Sequence, residues 1–422
     1  MSAPSGANTT TVANLFEIQY NDEKVGILVN TADPLNQMLE AQARDLDEGS
    51  SFRFFNTVGL GDSDRDFGEN DDLAEPDPTV DIQPYYNMTW YDFTVRCSGQ
   101  ALTNQGTATG ILSHQIMAKK AAMRLWFEKG PFVKSTGELA AIYSTPTSAT
   151  SIVVDNDLLI DVGMYVGVVV STTGAVTNGV AKSKVTAKTS NANGTATLTL
   201  ETPLAVYGSV DTTYIVVRSG AWNKSPFSLI DIISASNPDG GNFGNIDRTT
   251  GANEPWRGYE HDVENKMLTP LQIATAMDEA EVRSGLRPDR IILNRYPWRD
   301  LMQQGVNDRR IENSTKNLEL WGTTLTFDGV PVYKFRFCPY SKGFIWNSEV
   351  IKSVHPTGWP RGGHWIRPLD ENGNPTGGPL QQDKGKWSYK AAYVVGRQRV
   401  CTAPNATALL KNIGWSKSGM AV

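Results

Sequence analysis

The sequence predicts an α+β chain with a small all-β module set into it. Three observations carry this expectation. Residues 110–129 place apolar side chains at helical spacing over a long run. Residues 145–221 shift abruptly to Thr, Val, Ser, Ala and Gly, in short β-prone runs parted by turn residues. Beyond them the chain returns to alternating helix and strand signals. Its 422 residues, 40% hydrophobic and 20% charged, suffice for ordered cores and suggest about two to four domains. With 38 Gly and 22 Pro, long irregular connections are expected.

Residues 1–33 read as an extended polar arm. A short helix at 34–46 follows from the spacing of Leu35, Met38, Leu39 and Leu46, with Gly49 beyond its end. Residues 51–58 (SFRFFNTV) and 85–95 (YYNMTWYDFTV) are β-prone and are expected to pair as one long hairpin. The acidic, proline-containing stretch 61–81 would form its tip. The helix at 110–129 has Leu112, Ile116, Met123, Trp126 and Phe127 on one face, and Gly130-Pro131 ends it. A strand at 138–143 precedes the β module. The module's runs are 151–154, 164–170, 180–187, 195–200 and 213–217, and it is expected to fold independently and face outward.

Past Trp222, a Gly/Asn-rich loop spans 237–262. Thr269-Pro270-Leu271-Gln272 then combines an N-cap, a proline at the first helical position and a capping-box Gln, and Gly285 ends that helix. A strand at 290–294, a short helix begun at Pro297, and strands around Asp328-Gly329 follow. Strands at 344–354 and 387–401 close the chain, joined by a Gly/Pro/Trp-rich loop.

Catalytic chemistry is not expected. His114, His261, His355 and His364 form no metal-ligating pair, and no CxxC or HExxH occurs. Asp62-x-Asp64-x-Asp66 begins like a calcium loop, but Phe67 stands at the sharp-turn glycine and Leu73 at the bidentate glutamate. Gly59-Leu60-Gly61 is followed by acids that would repel a pyrophosphate. There is no Walker lysine and no GxSxG elbow. A glycoside hydrolase has no carboxylate spacing to recognise, so it stays an alternative. No cofactor or metal is expected. Cys97, Cys338 and Cys401, far apart and odd in number, read as reduced structural thiols. No apolar run reaches the ~20 residues of a membrane helix, and the N-terminus lacks signal-peptide character.

Charge is unevenly placed. The whole chain carries −6, whereas residues 61–81 alone carry nine carboxylates against Arg65. Residues 350–400 carry eight cations against three acids. Poles of opposite sign suit self-association. The assembly candidates are therefore Asp62, Asp64, Asp66, Asp71 and Asp72, facing Lys384, Lys386, Lys390, Arg397 and Arg399 of a neighbour. Lys119, Lys120 and Arg124, with Lys129 and Lys134 beyond, make a basic helix face: an ordinary solvated face, or one for non-specific contact with packed nucleic acid.

The order of parts resembles the major capsid proteins of tailed double-stranded DNA bacteriophages, with the Hong Kong 97 fold. The residues that carry this resemblance are EPWRGYEHD (254–262), TPLQIATAMDEAEVRSG (269–285) and LRPDRIILNRYPWRDLM (286–302). RRIENSTKNLELWGTTLTFDGVPVYKF (309–335), with Gly329-Val330-Pro331-Val332, and WSYKAAYVVGRQRVCTAPNATALLKNI (387–413) extend it. It covers the chain outside 145–221.

The resemblance implies an N-terminal arm and short helix (1–50), an extended-loop hairpin (51–107), and a spine helix and strand of a peripheral domain (108–144). It implies an inserted all-β domain (145–221), an axial domain (222–345), and closing peripheral strands with the C-terminus (346–422). It further implies hexamers and pentamers forming an icosahedral virion head, made in the host cytoplasm, around double-stranded DNA contacted non-specifically. A portal and a decoration protein are implied partners. Only 33 residues precede the first helix, so the scaffolding protein is expected to be separate. Encapsulin-like shells share the fold and are the nearest alternative; a carbohydrate-binding protein with a β-domain is a further one. The isopeptide cross-link of some family members is not expected, because no lysine lies between Lys24 and Lys119.

Overall fold

The computed structural model describes residues 34–41, 43–45, 51–59, 80–98, 108–191, 194–239, 241–308, 325–356, 364–366, 381–382 and 386–415. Three β systems organise them. The first is built on the long strand Ser388–Cys401, which pairs antiparallel with Thr89–Ser98 from Ser388↔Ser98 to Arg397↔Thr89. Ile351–His355 pairs with its far end, and Arg44–Asp45 adds a parallel edge. The helix Ala108–Lys129 lies on this sheet through Met123, which packs with Phe93, Val95 and Val395.

This pairing revises the expected hairpin. Ser51–Arg53 does pair with Tyr85–Asn87, and Asn56–Gly59 with Val80–Ile82. Thr89–Ser98 instead leaves the hairpin for the strand Ser388–Cys401. Phe93 and Val95 alternate inward along it, and only a helix-covered sheet buries that face. Of the expected acidic tip, Val80 and Asp81 belong to the strand Val80–Ile82, and 61–79 lie outside the described residues.

The second system is a closed barrel. Its order is Val180–Ser190, Ala196–Leu200, Ser151–Val154, Glu138–Ser148, Tyr214–Arg218 and Tyr165–Val170, which returns to the first strand. Ile142, Ile152, Val154, Val166, Val168, Val185, Leu198 and Val216 fill it. The strand expected to precede the module is thus one of its staves: Ala141 pairs with Ile215 and Ile142 with Val154. The chain enters and leaves at one place, where Asn223 N–H donates to the Thr136 carbonyl at 3.2 Å.

That same end of the barrel is tied to the rest of the chain. Lys129, 1% exposed, donates to the Leu159 carbonyl at 3.1 Å and pairs with Asp161. The Trp415 ring fills the space a side chain at Gly194 would need. The barrel core is continuous with the buried cluster of the body, including Phe132, Leu229 and Phe344. Against expectation, it does not pack as a separate unit.

The third system is a mixed sheet in the order Tyr259–Asp262, Thr407–Lys411, Gly343–Trp346, Arg290–Asn294, Val330–Phe335 and Leu325–Phe327. The helix Pro270–Ser284 covers it through Ile273, Ala276, Met277 and Ala280. Thr269 and Gln272 form the expected capping box, and Gly285 caps the end at φ 69°. Asp328 (φ 47°) and Gly329 (φ 78°) make the tight left-handed turn between the last two strands.

Several boundaries differ from the sequence reading. The first helix is Pro34–Ala41, short of the expected 46, because Arg44–Asp45 joins a sheet as a strand. The helix that follows Arg290–Asn294 spans Arg295–Asp308, starting ahead of Pro297, whose missing N–H costs nothing in a first turn. The run 344–354 is two strands in different sheets, because Asp289 accepts from Ser348 N–H at 2.7 Å and its hydroxyl at 2.6 Å and holds a turn there.

Candidate assembly surfaces

A short N-terminal helix, Pro34–Ala41, is seated by Leu35 and Leu39, both essentially buried. Its one described ionic anchor is Glu40. The Glu40 carboxylate meets His355 Nε2 at 2.6 Å and the Arg397 guanidinium at 3.6 Å. Burial pushes the Glu40 carboxyl up, but the hydrogen bond with His355 and the charge of Arg397 outweigh it and hold the group below the usual carboxylate range.

Arg397 and Arg399 require a correction. The sequence places both in an exposed basic pole, yet they are 3% and 1% exposed. Arg399 donates to the Gly130 carbonyl at 3.1 Å and the Phe227 carbonyl at 2.8 Å, tying the end of the long helix to the chain leaving the barrel. Arg397 stacks 4.7 Å from the Phe127 ring. They alternate with Gln398, yet all three are buried, because this part of the strand is covered on both faces. Lys386 and Lys390 are exposed as expected. Lys384 and the acids Asp62, Asp64, Asp66, Asp71 and Asp72 lie outside the described residues.

The two arginines form the floor of a cleft of about 350 Å³. Its walls come from Thr89–Ser98, the end of the long helix and the segment 218–226. Arg218 stacks 5.2 Å from the Tyr91 ring and 4.9 Å from that of Trp126, and donates to the Tyr91 hydroxyl at 3.1 Å. Trp90, half exposed, and Lys224 stand at the rim. Asp92 is the one carboxylate among the lining residues.

On the long helix, Lys119, Lys120 and Arg124 are exposed on a common side. Lys129 and Lys134 do not extend that face. Lys129 is buried at the barrel, and Lys134 bonds Glu138 at 2.8 Å and Asp239 at 2.9 Å. Large apolar side chains also meet solvent, with Phe55 on the hairpin 76% exposed and Leu271 and Val282 on the capped helix 75% and 83%. Apolar side chains scattered singly in this way are ordinary on a protein surface.

Arg248 carries no signal in the sequence, yet it organises the loop 237–262. It is 1% exposed and donates to five carbonyls, of Asp231, Ile232, Ser234, Ser236 and Trp256, at 2.7–3.2 Å. The short helix Leu229–Ile233 has no basic residue in its last turn, and Arg248 supplies the donors its carbonyls lack. Cys338 and Cys401 are buried free thiols, and burial pushes Cys401 up to about 12. Among the described residues no three potential ligands gather to hold a metal ion.

No family profile and no curated protein matches the chain. Solved structures do. A chain of the cyanophage A-1(L) capsid asymmetric unit is similar at 12% identity and TM-score 0.55, over 93% of this chain and 96% of that one. The SrpI encapsulin of Synechococcus elongatus aligns at 9% identity and TM-score 0.46, over 94% and 95%. The capsid of Myoviridae phage XM1 aligns at 8% and 0.46, over 96% and 99%. The first of these alignments places this chain in the same fold as a phage capsid subunit.

Proposed function

We propose that the chain is the major capsid protein of a tailed double-stranded DNA bacteriophage, a structural subunit that assembles into the hexamers and pentamers of an icosahedral head. The observation that carries this is the end-to-end match of architecture with the cyanophage capsid chain, over 93% of this chain. The order of parts supports it: a hairpin whose base packs on the body through Tyr86 and Phe54, a long helix on a sheet closed by the C-terminal strands, and a separate mixed sheet.

In this reading the segment 1–50 is the arm and 51–107 the extended loop. The peripheral domain is the helix-covered sheet, and the axial domain is the mixed sheet between 222 and 345, closed by Thr407–Lys411. The barrel is an insertion that faces outward, and its start moves from 145 to Glu138. Lys119, Lys120 and Arg124 face packaged DNA, bound without sequence preference. A separate scaffolding protein, a portal and a decoration protein complete the head in the virion, with synthesis in the host cytoplasm.

Light scattering of the purified chain tests this reading. Particles in the megadalton range are expected; a stable species near the 46.2 kDa monomer would contradict it. The shell should also be free of covalent cross-links. An isopeptide bond needs a neutral amine as nucleophile, and the loop 51–107 has no lysine. Arg53, Arg65 and Arg96 stay protonated and cannot substitute. Particles boiled in reducing detergent should run as one band at the monomer mass, whereas a ladder that survives reductant would overturn this.

A further inference from the structure

A second cleft, also of about 350 Å³, opens where the barrel meets the body. Glu138 and Asp155 line it from the barrel, and Lys134 and Lys342 from the body. Lys134 is paired with Glu138 at 2.8 Å and Asp239 at 2.9 Å. Lys342 is half-buried, and among the described residues its ammonium has no hydrogen-bond or ion-pair partner. Burial pushes this amine below its ordinary range, and the charge of Lys134 adds to the effect. Asp155 accepts from Ala141 N–H at 2.9 Å and has no cation within ion-pair reach among the described residues. Lys342 and Asp155 act on each other through their charges but do not meet. The cleft thus holds one uncompensated cation on the body and one uncompensated anion on the barrel, each costly to keep from water.

We propose that this cleft binds a free α-amino acid with an apolar side chain, its carboxylate on Lys342 and its ammonium on Asp155. Other ligands fail on charge. An inorganic anion would satisfy Lys342 but meet Asp155 and Glu138. A metal cation would meet Lys134 and Lys342, and no three ligands gather for it among the described residues. A peptide end carries one of the two charges and leaves the other group unpaired. A zwitterion carries both, and each then makes a charge-assisted hydrogen bond.

The remaining lining selects the side chain. Phe132, Leu139 and Leu159 are buried there, with Ile230 and Pro339 beside them. The Trp415 ring, stacked 4.2 Å from that of Tyr340, adds an aromatic wall. Apolar walls around a few fixed polar anchors are the usual build of a small-molecule site. The bound molecule bridges body and barrel at the junction that Lys129 and Trp415 already fasten. The proposal is independent of the capsid reading.

Equilibrium dialysis of the full chain against radiolabelled L-leucine tests this. L-Leucine should bind the wild-type chain. L-Leucinamide, which lacks the carboxylate, and isocaproate, which lacks the amine, should compete at least about tenfold less well. Lys342→Met removes the cation at similar length and relieves an unpaired charge. It should weaken L-leucine at least about tenfold and leave L-leucinamide unchanged. Asp155→Asn keeps an acceptor for Ala141 N–H. It should weaken L-leucine as much and leave isocaproate unchanged.

Four results would each overturn the proposal: no binding of L-leucine to the wild type; equal binding of the three compounds; wild-type affinity for L-leucine in a folded variant; or a folded variant that weakens both analogues alike. Should one variant fail to fold, the other and the three-compound comparison on the wild type still decide.

Discussion

Replacing Arg248 by alanine should leave the chain largely unfolded. Five buried or half-buried carbonyls lose their donor together, and the Phe243 ring loses the guanidinium stacked 4.5 Å from its centre. Each buried acceptor left unmade costs about 1–3 kcal/mol. Their sum, on the order of 5 kcal/mol or more, rivals the net stability of a typical domain. Arg248→Lys should fall between the two, because one ammonium reaches at most three acceptors and has no planar fork. Soluble yield and denaturant midpoint read the effect, and an alanine variant within about 1 kcal/mol of wild type would refute this role.

The second large effect belongs to Glu40. Glu40→Gln removes the charge facing Arg397 and His355, which are almost fully buried, and should cost about 2–3 kcal/mol. That is below the 3–5 kcal/mol for breaking a fully buried pair, since the Glu40 side chain is 26% exposed. The sign of its pH dependence follows from the lowered carboxyl. A group whose folded-state value lies below its unfolded one stabilises fully above the unfolded value, and that contribution disappears as pH falls. The stability difference between wild type and Glu40→Gln should therefore be complete near neutral pH and shrink below about pH 4.5. Denaturant unfolding of both proteins across that range measures it. A difference that does not change with pH would show that Glu40 acts through packing alone.

Local chemistry made the capped helix and the Asp328-Gly329 turn legible from sequence, because each is set by residues within a few positions of one another. The shift in composition marked the barrel, since strand formation there rests on β-branched residues throughout. Its first strand does not read as part of it, because Glu138–Ser148 straddles the compositional boundary and its partners lie at 151–154 and 214–218. The pairing of Thr89–Ser98 with Ser388–Cys401 spans most of the chain and leaves no local trace. Charges were the least legible feature of the assembly surfaces. Lys129, Arg248, Arg397 and Arg399 look like solvated cations in sequence, yet they are buried because carbonyls, carboxylates and rings from distant segments converge on them. Lys119, Lys120 and Arg124 are exposed, although Lys120 Nζ lies 5.9 Å from the centre of the Tyr393 ring.

Cryo-electron microscopy of the purified full-length chain tests the central claim most directly. Closed icosahedral shells are expected, with six-fold and five-fold capsomers and the barrel on the outer surface. A homogeneous population of monomers or small oligomers, with no closed shell under any assembly condition, would contradict it.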